Sequence, residues 1–169
     1  MRQVLRMGVA VLAAGLAAPV AAATDCPTAL ICAANPRGIV DSLQAQGFKA
    51  VLGKSDNTGN PKITSSASGY AYTIFFYGCD KGANCTSLGF SVNFEDDGAN
   101  SLALANEWNK DKRFSAMSFD ESDKSLMLTY DVTTIGGLTQ VNFADVVDWW
   151  QTMLGQARTF FDAHPAPKR

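Results

Sequence analysis

The sequence predicts an α+β domain, an antiparallel sheet with helices packed mainly on one face, in the order α-β-β-β-β-α-β-β-α. Two aromatic-rich runs, ending at Tyr77 and at Phe94, alternate with period two on either side of a glycine-containing loop, as the arms of a hairpin do. Other segments place apolar residues at helical spacing, the last of them running to Ala163. Strand-like segments also follow one another across short turn-forming stretches, which suits antiparallel pairing with the helices gathered on one side.

The first helix opens at Asn35-Pro36, with asparagine as cap and proline at the first helical position, and runs to about Gln46. Gly47 stands where a left-handed cap would end it. Phe48 to Lys54 alternates as a strand, with Phe48, Ala50 and Leu52 on its apolar side. Ser55 to Pro61 is dense in turn formers, and Lys62 to Ser68 reads as the weakly apolar return strand. In the third strand Tyr70, Tyr72, Ile74 and Phe76 share one face, with Thr73, Phe75 and Tyr77 on the other. The fourth alternates Leu88, Phe90, Val92 and Phe94 with small polar residues. Glu95-Asp96-Asp97-Gly98 is a polar break before a helix from Ser101 to Lys112. Strands over Phe114–Asp120 and Lys124–Val132 follow, and then a long amphipathic helix that Asn142 is expected to cap.

The N-terminus carries a signal for export. Arg2 and Arg6 precede an apolar stretch from Gly8 to Ala18, and Ala21-Ala22-Ala23 offers the small-residue pattern of a cleavage site before Thr24. The stretch is shorter than the roughly 20 apolar residues of a membrane span. The expected organisation is a signal peptide over 1–23, a cysteine-bearing segment over 24–34, one domain over 35–163 and a flexible tail over 164–169. Loss of Arg2 and Arg6 with the signal takes the net charge from −2 to −4. Only Lys110, Lys112 and Arg113 cluster, so nucleic acid is not an expected partner. The expected compartment is the periplasm or the medium, with no membrane span once the signal is cleaved.

Cys26 and Cys32, and Cys79 and Cys85, form two pairs of identical C-x5-C spacing. In an exported chain an even set of cysteines reads as disulfides, and local pairing is the connectivity favoured among three. Zinc and redox motifs use tighter spacing, so no metal or cofactor is expected.

Catalytic chemistry finds little support. The one histidine, His164, lies in the tail beside prolines and reads as solvated, whereas a nucleophile–histidine device needs an imidazole held on a rigid scaffold. Glu95, Asp96 and Asp97 read as a solvated turn. A calcium loop begun at Asp56 would have Ala67 where the twelfth position needs glutamate. The most distinctive segment is Asn106-Glu107-Trp108-Asn109, whose two amides lie one helical turn apart. One reading makes Asn106, Trp108 and Asn109 a polar recognition face, while exposure of Tyr70, Tyr72, Phe75 or Tyr77 would mark a binding surface on the hairpin. Alternatively, Trp108 is core and the amides bond backbone.

The chain resembles the YbjN-domain family of bacterial proteins, labelled sensory transduction regulators. The resemblance rests on Gly59-Asn60-Pro61-Lys62-Ile63, Tyr77-Gly78-Cys79 with Cys85-Thr86-Ser87-Leu88, Asn106-Glu107-Trp108-Asn109 before Arg113-Phe114, and Gly136-Gly137. It implies a fold similar to type III secretion chaperones, often paired as a homodimer, with no catalytic residues to carry over. The expected function is non-enzymatic: an exported binding or chaperone-like protein for a polypeptide or envelope component. A structural or stress-related envelope dimer and a carboxylate enzyme using Asp96 or Asp120 are the alternatives.

Overall fold

A computed structural model describes residues 26–166. The signal peptide expected over 1–23 lies outside them, as does the tail after residue 166. The elements are α1 (Pro36–Ala45), β1 (Ala50–Lys54), β2 (Pro61–Ala67), β3 (Tyr70–Tyr77), β4 (Ser87–Phe94), α2 (Leu102–Asp111), β5 (Ala116–Phe119), β6 (Leu126–Thr133) and α3 (Gln140–Ala163). This is the element order expected from the sequence. The strands form one antiparallel sheet in the order β1-β2-β3-β4-β6-β5. The chain leaves β4 through α2 and re-enters at the far edge, so β6 closes the gap beside β4.

Alternation decides which side of the sheet is dry. Ile63, Ile74, Phe76, Leu88, Phe90 and Leu128 are fully buried, and apolar residues of α1, α2 and α3 belong to the same cluster. Trp150 of α3 sits over the middle strands, 5.6 Å from the ring of Tyr72 and 5.7 Å from that of Phe90. The opposite face presents Thr73, Phe75 and Tyr77 of β3 alongside Ser87, Gly89 and Ser91 of β4.

Local chemistry sets the helix starts. Asn35 Oδ1 accepts from the Gly38 amide at 3.1 Å, and Ser101 Oγ accepts from the Leu104 amide at 3.2 Å. The expected cap of α3 is corrected: Thr139, not Asn142, is the cap, and its Oγ1 accepts from the Asn142 amide at 3.1 Å. Asn142 therefore lies in the first turn, because a cap bonds an amide two or three positions ahead of it. Strand β1 begins at Ala50 rather than Phe48, and Leu52 is 37% exposed. As an edge strand, β1 has its end beyond the cover of the helices.

Both cysteine pairs are bonded, Cys26 to Cys32 and Cys79 to Cys85. The first holds a segment that joins the core rather than preceding it. Ile31 pairs with Leu138, and the Ala33 amide donates to Thr134 Oγ1 at 2.9 Å, which itself donates to the Thr86 carbonyl. Gly137 makes this docking feasible, because a Cβ there would stand 2.7 Å from Leu30 Cδ1. The second bridge closes the β3–β4 loop above the Thr86–Tyr77 backbone bond. Replacing either pair by serines is expected to lower stability by about 2 kcal/mol, the entropy of a loop this short. Urea unfolding of oxidised and serine variants measures it.

Candidate interaction surface

The residues singled out by sequence do not come together as one face. Trp108 is fully buried, edge-on to Phe160 at 5.4 Å. Tyr72 is buried as well, and burial pushes its phenol above the ordinary tyrosine range. Tyr70 is half-buried, edge-on to Phe94 at 5.3 Å. A recognition role for Tyr72 and Trp108 is thus corrected to a packing role, since a partner cannot reach a side chain with no surface. Asn106 is exposed.

Asn109 has a structural role that the alternative reading anticipated in kind. Its Nδ2 donates to the Met117 carbonyl and its Oδ1 accepts from the Met117 amide, both at 2.8 Å. A side chain thereby takes the place of a neighbouring strand on the outer edge of β5, a way of closing an edge against pairing. Asn109→Asp keeps the acceptor but sets a carboxylate against the Met117 carbonyl. It is expected to destabilise by about 1–3 kcal/mol, with faster hydrogen exchange at the Met117 amide as the local readout.

Asp96 accepts from the Gly98 amide and Asp97 from the Ala99 amide, so both serve their own turn. Asp120 accepts from the amide and hydroxyl of Ser122, which hold its carboxyl below the ordinary range. His164 departs from its expected solvated state. Its Nδ1 lies 2.8 Å from the Phe160 carbonyl and its Nε2 3.1 Å from Glu107, so it ties the end of α3 to α2. Helical return brings position 164 onto the same side as 160, where a carbonyl at the helix end lacks an amide.

The surface that does gather chemistry lies where α2 gives way to β5. The chain must turn sharply there, and Phe114 adopts φ +70, a left-handed conformation that a bulky residue rarely takes. The turn lays the Phe114 ring on Trp149 of α3, with centroids 4.5 Å apart. Both rings stay open to solvent, Phe114 by 51% and Trp149 by 41%. Trp149 Nε1 donates to Asp145 Oδ2 at 3.3 Å, one turn earlier, which fixes the indole. The Arg113 guanidinium stands 4.9 Å from the Phe114 ring and the Lys112 ammonium 5.9 Å from that of Trp108.

Lys112, Arg113, Phe114 and Trp149 line a groove of about 290 Å³ with Asp111, Thr152 and Met153. Through Lys112, Thr152 and Gln156 it continues into a depression of about 470 Å³ over Gly155, Thr159 and Ala163. Among the described residues, a carboxylate lies within 4 Å of Lys62 (Asp56) and of His164 (Glu107), whereas neither Lys112 nor Arg113 has a carboxylate partner. Gly155 lies inside α3, yet a Cβ there would meet nothing within 4 Å. No internal contact requires the glycine, which leaves bare backbone on the groove floor.

The basic cluster is visible in the sequence but the aromatic pair is not: Phe114 reads as the start of a strand, Trp149 stands 35 positions further on in a helix, and only the left-handed turn brings them together. Among the described residues no helix is long and apolar enough to cross a membrane, and no group of His, Cys, Asp and Glu is placed to hold a metal.

Residues 36–163 match the family model described as "YbjN: Putative bacterial sensory transduction regulator". Among solved structures, the chain is similar to "YbjN, a putative transcription regulator from E. coli", with 16% identity and a TM-score of 0.57, covering 76% of this chain and 91% of that one. It is also similar to an uncharacterised protein from Methanothermobacter thermautotrophicus, with 12% identity and a TM-score of 0.53, covering 78% and 99%. At these identities the likeness is one of fold. Comparison with the curated proteins gives no match.

Proposed function

Since the chain belongs to the YbjN family, we propose that it is a non-enzymatic binding protein, exported from the cytoplasm, that holds a polypeptide in the groove between α2 and α3. The observation that carries this reading is the Phe114–Trp149 pair. The Phe114 ring is held half in water against the half-exposed Trp149 by a backbone conformation that costs about 1–3 kcal/mol. Exposed aromatics of this kind, beside cations without a carboxylate partner, are what binding surfaces display. Export is supported by the signal pattern at the N-terminus and by the two disulfides, which suit an oxidising compartment.

A photo-crosslinker at Thr152, on the groove wall, tests the reading in native envelopes with oxidised mature protein as bait. Mass spectrometry should identify a polypeptide joined at that position. Recovery of nothing but self-crosslinked chain would replace this reading with a homodimer. Gly155→Ala sharpens the test, because the new methyl group narrows the floor while removing a helix glycine. The variant is expected to be more stable by about 0.5–1 kcal/mol and yet to capture less partner. Stability and capture rising together would count against a groove in use.

A further inference from the structure

The face of the sheet turned away from the helices carries a second recess of different chemistry. Tyr77 ends β3, and its ring folds diagonally across Gly89 of β4, whose direct partner is Phe75. A Cβ on Gly89 would stand 2.7 Å from Tyr77 Cε2 and 2.7 Å from Asp131 Oδ1. Gly89 is not in the left-handed region, so its missing side chain serves space rather than backbone freedom. A glycine inside a strand marks such a close approach. The tyrosine ring is thereby seated against the sheet while 50% of the residue stays open.

Beside it the β1–β2 loop encloses a cleft of about 240 Å³, lined by Ser55, Asn57, Thr58, Asn60, Phe75 and Tyr77, with Pro61 and Phe76. The loop is held in place. The Ser55 amide donates to the Asn60 carbonyl at 2.8 Å, the Asn60 amide to Thr58 Oγ1 at 3.3 Å, and Asn60 Nδ2 to the Phe76 carbonyl at 3.3 Å. The disulfide-closed β3–β4 loop stands against it, so near that a Cβ on Gly82 would lie 3.6 Å from the Gly59 carbonyl.

No side chain lining this cleft carries a formal charge. The charged neighbours Lys62 and Asp56 pair with each other at 3.1 Å, and Asp131 stands beyond Tyr77 as an acceptor. An ionic ligand would find no counter-charge inside. A wholly apolar one would cover hydroxyls and amides and leave them without partners. A ligand with one apolar face and a rim of hydroxyls satisfies both kinds of group, since hydroxyl and amide side chains donate and accept alike.

We propose that this cleft binds a neutral carbohydrate, one sugar ring lying on Tyr77 with its hydroxyls bonded by Ser55, Asn57 and Thr58. The volume falls below the roughly 300 Å³ at which drug-sized pockets begin, which suits a single ring with the rest of a chain lying along the open sheet. The site stands on the opposite side of the sheet from the α2–α3 groove and is independent of it.

Titration of the oxidised, isotope-labelled protein with cellohexaose, chitohexaose and maltohexaose, followed by amide chemical shifts, tests the proposal. At least one sugar should move the Asn57, Thr58 and Tyr77 amides saturably, with a dissociation constant below about 1 mM. Tyr77→Ala should weaken binding at least about tenfold (about 1.4 kcal/mol). Gly89→Ala, which unseats the ring, should weaken it as well. Asn57→Ala, in an exposed loop, gives the same reading should the glycine variant fail to fold, and Trp149→Ala should bind as the parent does. Absence of saturable shifts with all three sugars, or binding unchanged in Tyr77→Ala and Asn57→Ala, overturns it.

Discussion

Trp150→Ala is expected to cost about 3–5 kcal/mol, as the truncation of a fully buried tryptophan does. Trp150 is fully buried and is the contact through which α3 meets both Tyr72 of β3 and Phe90 of β4. Its removal leaves a cavity where the long helix packs over the centre of the sheet. The remaining side chains come from different elements and cannot all close on it, because interiors of this density relax only in part. Against a total of about 5–15 kcal/mol for a domain, such a loss brings the protein near its unfolding midpoint. Urea unfolding with near-ultraviolet circular dichroism would register it. A cost below about 1 kcal/mol would mean that α3 does not depend on this contact.

The adjacent tryptophan should behave in the opposite way. Trp149→Ala removes a side chain that is 41% exposed and touches Phe114 at the surface. Its effect on stability should stay within about 0.5 kcal/mol, as for surface sites outside the core. Its effect on groove binding should be large, about 2 kcal/mol or more if it anchors the partner as buried interface aromatics do, a loss of roughly thirtyfold. Crosslinking yield at Thr152 reads the second quantity and urea unfolding the first. Equal losses in both would show Trp149 to be a packing residue and remove the main support for the groove. One peptide unit separates the two residues, and the 100° step of the helix turns one inward and the other outward.

The strands were legible because period-two alternation is a local property and one face of the sheet is dry. Tyr72, Ile74 and Phe76 share one face as their spacing requires, with Tyr77 opposite. The helices were legible for the same reason, helped by Asn35 and Ser101 at their starts. The miss at Asn142 arose because Thr139 and Asn142 are both good capping residues, and only the path of the incoming chain from Leu138 selects between them. Asn109 illustrates a partial reading. Its bond to backbone could be anticipated, but its partner, the edge of β5, could not, because that edge exists only once β6 has inserted beside β4.

Local patterns sufficed for the α+β class, the element order and the family resemblance, and they favoured short-range pairing of the cysteines among three connectivities. All of these follow from short-range spacing, which survives without any knowledge of the fold. The tertiary structure alone decided the rest. It set which face of each aromatic strand is covered, turned Trp108 inward and Trp149 outward, and carried Phe114 onto α3 through a left-handed turn. It also brought the Tyr77 ring over Gly89 beside a loop from another hairpin. The physical reason is that a binding surface is made of residues remote in the chain, and their meeting depends on packing that no local pattern encodes.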